Sequence, residues 1–189
     1  MATIDKLKQE IIAYQSTNKL EEIDKKTIIS LLNDPDILSR KQLLYHLTSS
    51  CWVINQEKTK VLMIYHNIFK SWSWMGGHCD GNANCFEVAK KELAEESGIK
   101  KYINAYPEIF SLEILPVFQH KKKNAWVPSH IHLNLTYLFI VDEQEPLIVN
   151  EEETAGVKWI NIDKLDEIVR EKDMLEIYYK LNEKVKYTT

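Results

Sequence analysis

Glycine is scarce in this chain, with only 5 residues among 189, against a usual share of roughly 7 per cent. Four of the five lie within a single 23-residue window, at Gly76, Gly77, Gly81 and Gly98, and all five prolines lie outside it. Glycine allows left-handed backbone angles and a close approach of two backbones. We therefore expect this window, residues 76–98, to need that freedom for a local reason.

Other absences exclude whole classes of protein. No apolar run approaches the roughly 18 residues of a membrane span, and the first residues, MATIDKLKQEII, interleave apolar side chains with charges, unlike a signal peptide. Three cysteines form an odd count without framework spacing, which indicates a reducing compartment. With 22 Lys, only 2 Arg and a net charge of −4, a nucleic-acid groove is disfavoured. We expect a cytoplasmic protein that binds neither membranes nor nucleic acids.

The length and the composition predict one globular domain with an extension. A chain of 189 residues exceeds the roughly 100–150 residues of a common single domain, and its 44% hydrophobic and 28% charged content is ordinary. Apolar residues recur at helical spacing through residues 3–33 as two amphipathic helices. Residues 1–45 are therefore interpreted as an N-terminal helical extension that packs either on the domain or on a partner.

Strand-like segments begin at residue 46. HLTSSCWVIN and KVLMIYH are rich in β-branched and aromatic residues and flank a hairpin-like connection. The remaining predicted elements are strands at 107–118, 130–141 and 156–161 and helices at about 84–97, 162–170 and 173–185. This order predicts an α/β (α+β) fold with a mixed sheet between helices. The main domain is placed at 46–170, with a C-terminal helix at 171–189 packing on it.

The predicted helix in the glycine window carries three glutamates close together. At about 100° per residue, Glu92, Glu95 and Glu96 fall within about 100° of arc. Like charges one turn apart repel, more strongly where water is scarce, and a bound cation would convert that repulsion into coordination. Glu95 could instead be a surface charge in an i,i+4 ladder with Lys91, and Lys100 could relieve Glu96 from the helix end.

Around these glutamates the sequence closely resembles the Nudix box. That signature is G-x5-E-x7-R-E-U-x-E-E-x-G-U, with U a bulky aliphatic residue. Here Gly77 is followed after five residues by Ala83, and after seven more by Lys91-Glu92-Leu93-x-Glu95-Glu96-x-Gly98-Ile99. The resemblance, which would cover roughly residues 46–170, indicates a Nudix (MutT-like) hydrolase domain with the sandwich fold of that family.

The resemblance implies hydrolysis of the pyrophosphate bond in a nucleoside diphosphate linked to another moiety. Water would be activated by a glutamate-bound Mg²⁺ or Mn²⁺, ions that hard carboxylate oxygens favour. By resemblance, Glu95 and Glu96 are the main ligands, joined by the carbonyl of Gly76. Glu92 is a further ligand or the general base.

Two positions depart from the box. Ala83 replaces its first glutamate, which removes a carboxylate that can assist metal binding and leaves the number of ions open. Lys91 replaces its arginine and, lacking the planar fork, would orient the glutamates less rigidly. Some Nudix enzymes take the base from a later loop, which makes 151–153, with Glu152 and Glu153, a second source, although such an acidic turn is usually only solvated.

Several residues near the box are candidates for substrate contact. Gly77, His78 and Asp80 lie in the glycine loop, where side chains could reach phosphate or metal, although a loop histidine is more often a surface residue. His130 and His132 alternate along a predicted strand, so both point to one face. That face is either the pocket or the solvent.

Two further features have competing interpretations. His78, Cys79 and Cys85 offer zinc three ligands without a regular fourth, which makes a poor zinc site. The basic stretch 120–126 is predicted to be a long loop between strands. Such a run is usually solvated, but it could close over an anionic substrate with Trp126 stacking on a base.

Two other functions are compatible with this fold. An isopentenyl diphosphate isomerase shares the fold and metal use, but that family's active-site cysteine stretch and tryptophan–glycine–glutamate–histidine stretch are absent, and Cys51 is not a convincing substitute. A catalytically silent Nudix-like ligand-binding or regulatory module is favoured slightly by Ala83 and Lys91 and opposed by the intact glutamates. The N-terminal helices could serve as a partner surface, and a homodimer is one assembly that this leaves open.

Overall fold

A computed structural model of the protein describes residues 3–67, 70–122, 125–150 and 154–188. The chain forms two compact units. The first comprises Met1–Ser50, Gly76–Ala89 and Pro107–Tyr137, and the second comprises Cys51–Met75, Lys90–Tyr106 and Leu138–Thr189. Within the described ranges, no helix is long and apolar enough to cross a membrane.

Helices and strands follow the predicted order. The helices are α1 (Ile4–Ala13), α2 (Lys19–Leu31), α3 (Cys85–Ser97), α4 (Leu165–Ile168) and α5 (Lys172–Val185), with a 3₁₀ turn at Ile162–Lys164. The strands are β1 (Tyr45–Asn55), β2 (Lys60–His66), β3 (Ser71–Ser73), β4 (Met75–His78), β5 (Asn104–Ala105), β6 (Ser111–Val117), β7 (His120–Lys122), β8 (Ala125–Val127), β9 (His130–Val141) and β10 (Thr154–Asn161).

The strands form a mixed sheet accompanied by helices, which confirms the predicted fold class. Its path is β10–β2–β1–β9–β5, with β3 pairing with β2, β4 with β1 and β6 with β9. The β6–β9 ladder is antiparallel and runs from Ser111 opposite Thr136 to Val117 opposite His130. The ladder between β2 and β10 is also antiparallel.

The prediction of a long loop at 120–126 is wrong, because β7 and β8 pair antiparallel with Lys121 opposite Trp126. No run of β-branched residues marks these short strands. The pairing is accompanied by a cation–π contact in which the Lys121 ammonium lies 5.4 Å from the centre of the Trp126 ring.

In the first unit, α2 packs on β6 of the sheet and α1 packs on α2. Leu7, Ile11 and Ile28 are buried, whereas Leu20 and Ile23 of α2 are exposed. The two helices form as predicted, and α2 lies against β6.

A buried carboxylate also joins α2 to β6. Glu21 is only 1% exposed, and its side chain accepts hydrogen bonds from the Ser111 hydroxyl at 2.8 Å and from the Thr17 amide and hydroxyl at 2.7 and 2.9 Å. A buried charge is tolerated only when it is hydrogen-bonded in this way. These hydrogen bonds attach α2 to β6.

In the second unit, aromatic side chains form the centre of the core. Tyr178 of α5 is fully buried and stacks on Trp52 of β1, with ring centres 5.1 Å apart. It also meets the edge of Trp74, whose amide donates to the Tyr178 hydroxyl at 3.3 Å. These contacts attach α5 to the strands of this unit.

Candidate active site

Gly76 lies where β4 passes very close to β1. A Cβ on Gly76 would lie 2.5 Å from Ser50 Oγ, 2.7 Å from the Ser49 carbonyl oxygen and 2.9 Å from Ser50 Cα. No side chain fits at those distances, so this position requires glycine. The sequence-based expectation that the window needs close backbone approach is confirmed here.

The glycine loop then turns with left-handed backbone angles. Gly81 has φ 90° and donates its amide to the Leu38 carbonyl at 2.8 Å, and Asp80 has φ 45°. Arg40 donates two hydrogen bonds of 2.8 Å to the Asp80 carboxylate, a bidentate geometry with strong directionality. Asp80, a candidate for phosphate or metal contact, thus orients an exposed arginine at the surface.

Both ends of α3 are fixed by local chemistry. The Asn84 side chain accepts a hydrogen bond from the Glu87 amide at 3.3 Å, which satisfies one of the free amides of the first turn. At the other end Gly98 has φ 81°, the left-handed angle of a helix C-cap. A Cβ on Gly98 would meet the Ile148 side chain at 2.9 Å.

The three glutamates lie on the last two turns of α3 in the second unit and differ sharply in exposure. Glu96 is 4% exposed, whereas the side chains of Glu92 and Glu95 are 15% and 51% exposed. The Lys91 ammonium lies 3.1 Å from the Glu95 carboxylate and 3.9 Å from that of Glu92. Lys91 thus contacts both neighbouring carboxylates, although as a point charge rather than a fork.

Cys51 lies beside the two less exposed glutamates. Burial raises the pKa of its thiol, and the carboxylate charges of Glu96 and Glu92 raise that pKa further. A reactive cysteine needs access and a lowered pKa. Cys51 has neither, which argues against the isomerase alternative.

Four histidine side chains meet in the first unit. His46 of β1, His78 of β4 and His130 and His132 of β9 each place one ring nitrogen within 4.8 Å of the others. We call these four residues the histidine cluster. The prediction that His130 and His132 share a face is confirmed, because their Nε2 atoms are 3.0 Å apart.

A buried polar network holds the strands that carry the cluster. The Asn134 side-chain oxygen on β9 accepts hydrogen bonds from the hydroxyls of Thr48 and Ser50 on β1, at 3.0 and 2.8 Å. Its amide group donates to the buried carboxylate of Glu113 at 3.0 Å, as does the Thr136 hydroxyl at 2.9 Å. Such a satisfied network fixes strand register.

The environment of the cluster favours the neutral form of three of its rings, those of His46, His78 and His132. Burial, followed by the charges of the neighbouring histidines, lowers the pKa of His132 to about 2. Burial likewise lowers the pKa of His78 to about 4 and also lowers that of His46. Neutral imidazole is the form that binds metal ions.

Sequence reasoning missed His46 and Arg40. Neither carries a local signal, because their neighbours in space come from sequence positions more than 30 residues away. The remaining substrate candidate, Trp126 on β8, is 70% exposed. Glu152 and Glu153, the alternative general bases, lie outside the described residues.

Comparison with known proteins decides the family. The model of the NUDIX domain matches residues 44–181. The chain belongs to the Nudix family. Nudix hydrolases act on pyrophosphate bonds of small nucleotide-linked substrates and generally use divalent metals. No curated protein matches this sequence.

Solved Nudix structures share the fold at low sequence identity. An Ap4A hydrolase from C. elegans, solved as a binary complex, is 16% identical, with a TM-score of 0.54 over 74% of this chain and 94% of that one. A MutT protein from Methanosarcina mazei Go1 is 12% identical, with a TM-score of 0.57 over 77% and 98%. The E. coli dihydroneopterin triphosphate pyrophosphohydrolase is 12% identical, with a TM-score of 0.52 over 71% and 92%. These named substrates differ, so the shared fold does not select one.

Proposed function

We propose that this Nudix protein is a Mg²⁺- or Mn²⁺-dependent pyrophosphohydrolase that cleaves a nucleoside diphosphate linked to another moiety. The observation that carries the proposal is the placement of Glu92 and Glu96 one turn apart on α3, in the register of the Nudix box, with Glu96 only 4% exposed.

The donor set fits a hard divalent cation. Two carboxylates at i and i+4 repel each other, and more so when one is buried. Glu92, Glu95 and Glu96 offer only carboxylate oxygens, which suit Mg²⁺ or Mn²⁺ better than softer metals. We assign Glu95 and Glu96 as the main ligands, with Glu92 as a further ligand or the general base. The ion would neutralise pyrophosphate charge and lower the pKa of bound water.

The positions of the three glutamates suggest a different role for each. Glu95 is held by Lys91 at 3.1 Å, so its role is that of an oriented ligand. The Glu92 side chain is less exposed than that of Glu95, and its carboxylate lies 3.9 Å from the Lys91 ammonium. We propose Glu92 as the group that accepts a proton from the attacking water. Glu152 and Glu153 remain the alternative bases.

We assign substrate contacts first to two neighbouring side chains, Trp126 and Lys121. The exposed Trp126 ring offers a face for base stacking, and Lys121, whose ammonium lies 5.4 Å from that ring centre, would attract phosphate charge. Gly77, His78, Asp80 and His132 are the remaining candidates for substrate contact. Asp80 would act by orienting Arg40, whose remaining guanidinium N–H groups could attract phosphate.

The substitution of Ala83 for the box glutamate favours one alternative, a silent module that binds nucleotides without turnover. The proposal is tested by product release from nucleoside diphosphate sugars, dinucleoside polyphosphates and nucleoside triphosphates, with EDTA-treated protein and added Mg²⁺ or Mn²⁺. We expect metal-dependent hydrolysis of at least one class. Glu96→Gln should lower kcat/KM by on the order of a hundredfold or more.

Glu87→Gln is the matched control, because Glu87 is exposed on the first turn of the same helix and should keep wild-type activity. The proposed enzymatic activity would be contradicted if wild type and Glu96→Gln were equally inactive on all substrates and if neither Mg²⁺ nor Mn²⁺ raised the melting temperature. Stabilisation by nucleotide without turnover would instead indicate the silent module.

A further inference from the structure

The histidine cluster brings together four imidazole side chains from β1, β4 and β9. We propose that it binds one divalent transition metal ion, with Zn²⁺ as the best match. Its residues differ from the glutamates of the Nudix box, and imidazole suits Zn²⁺ and other transition metals, whereas Mg²⁺ selects oxygen. The inference does not depend on the proposed hydrolase activity, and it assigns His78 and His132, two of the candidates for substrate contact, to a metal ion instead.

The spacing of the ring nitrogens suits a four-coordinate site. Zn–N bonds of about 2.0–2.1 Å in a tetrahedron place neighbouring nitrogens about 3.4 Å apart. The Nε2 atoms of His130 and His132 are already 3.0 Å apart, and all four candidate atoms lie within 4.8 Å of one another. Small ring rotations would bring them to coordination distance.

Backbone carbonyls orient two of the rings toward the centre of the cluster. His46 Nδ1 lies 3.1 Å from the Gln42 carbonyl, and His130 Nδ1 lies 2.8 Å from the Pro128 carbonyl. A carbonyl can only accept, so each Nδ1 carries a proton, and a metal ion would bind the Nε2 lone pair of each ring. This outer contact is the usual partner of a metal-bound histidine.

One of those lone pairs is buried without a partner. His46 is 5% exposed, and among the residues that the structure describes its Nε2 has no hydrogen-bond partner. A buried nitrogen left in this state is destabilising and uncommon in native proteins. A metal ion at the centre of the cluster would use this atom.

One alternative is that the four histidines are buried core residues that bind no ligand. Another is that they form a binding site for an anion. The unpartnered Nε2 of His46 disfavours a satisfied core. An anion subsite needs protonated rings, whereas burial lowers the pKa values of His46, His78 and His132. Neutral, lone-pair-bearing rings match a metal better than a phosphate.

The test titrates Zn²⁺ into full-length, EDTA-treated protein by isothermal titration calorimetry, with Co²⁺ as a visible-absorption probe of coordination. We expect one tight Zn²⁺ per chain and intense tetrahedral Co²⁺ bands. His78→Asn and His132→Asn should each weaken Zn²⁺ affinity about a hundredfold or more. These two residues are less buried than His46, and circular dichroism would verify that each variant is folded.

Two controls separate this site from the proposed catalytic metal. His66→Asn, on β2 outside the cluster, should bind Zn²⁺ as wild type does. The double variant Glu92→Gln/Glu96→Gln should also retain the tight Zn²⁺, even if it loses all hydrolase activity. No Zn²⁺ uptake by wild type, unchanged affinity in either cluster variant, or loss of Zn²⁺ only in the glutamate variant would each overturn the proposal.

Discussion

Gly76 and Ser50 lie so close that a single added carbon on Gly76 would sit 2.5 Å from Ser50 Oγ. Neighbouring backbone atoms of β1 lie within 3 Å of the same point, so a change of the serine rotamer alone cannot relieve the contact. The close packing of β4 on β1 therefore depends on the absence of a side chain at position 76.

Gly76→Ala should consequently be strongly destabilising. Forcing a methyl group against backbone costs about 1–3 kcal/mol or more, and here the strands would have to separate. Gly81→Ala is the comparison, because Gly81 has φ 90° but open space around its Cβ position, so only a backbone cost of about 1 kcal/mol is expected. Urea unfolding should rank Gly76→Ala below Gly81→Ala. Equal midpoints would show that β4 tolerates a side chain there.

Local signals account for the parts of this region that could be predicted. An asparagine cap, a helical run and a terminal glycine are all neighbours in sequence, so α3 was predicted to within a residue of its observed start. Alternation predicted that His130 and His132 share a face, but not which one. That depends on strand pairing with His46 and His78, which are far away in sequence, and a lone histidine gives no local hint of such a neighbour.

The same limit applies to Glu21, which looks like an ordinary charge on an amphipathic helix. Its burial depends on Ser111, 90 residues later. Glu21→Ala would leave the Ser111 and Thr17 groups without their acceptor, and a buried polar group such as the Ser111 hydroxyl costs about 1–3 kcal/mol when it is left unsatisfied. We expect a loss of about 3 kcal/mol in chemical denaturation.

Glu22→Ala is the control, because Glu22 is the next residue of α2 and its carboxylate pairs at the surface with Lys26. It should leave the unfolding midpoint essentially unchanged, because exposed pairs are weak. If both variants unfolded alike, the contact between Glu21 and Ser111 would not attach the extension to β6.

Ala83 permits a gain-of-function test of the proposed metal site. It lies half-buried just before α3, at the position where the Nudix box has a glutamate. Ala83→Glu should add a hard oxygen ligand and lower the Mn²⁺ concentration needed for half-maximal activity several-fold. Ala83→Gln has the same length without the charge and should resemble wild type. If Ala83→Glu and Ala83→Gln needed the same Mn²⁺ concentration, a side chain at position 83 would not contribute to metal binding.

The histidine cluster should make metal-free protein sensitive to mild acid. In the folded protein the pKa values of His132 and His78 are about 2 and 4, below the unfolded value of 6.5. Between these values the unfolded chain therefore binds more protons than the folded chain. Stability from these groups is full above pH 6.5 and falls as pH is lowered, by about 1 kcal/mol per histidine between pH 6.5 and 5.5. The charged and titratable groups that act on these two rings are His46, His130, His120, Arg40 and Asp80.

Urea midpoints at pH 7.5, 6.5 and 5.5 in EDTA should show this loss of stability. His132→Asn should reduce the loss, whereas His66→Asn should not. A wild-type slope retained in His132→Asn would mean that His132 takes up its proton in the folded state.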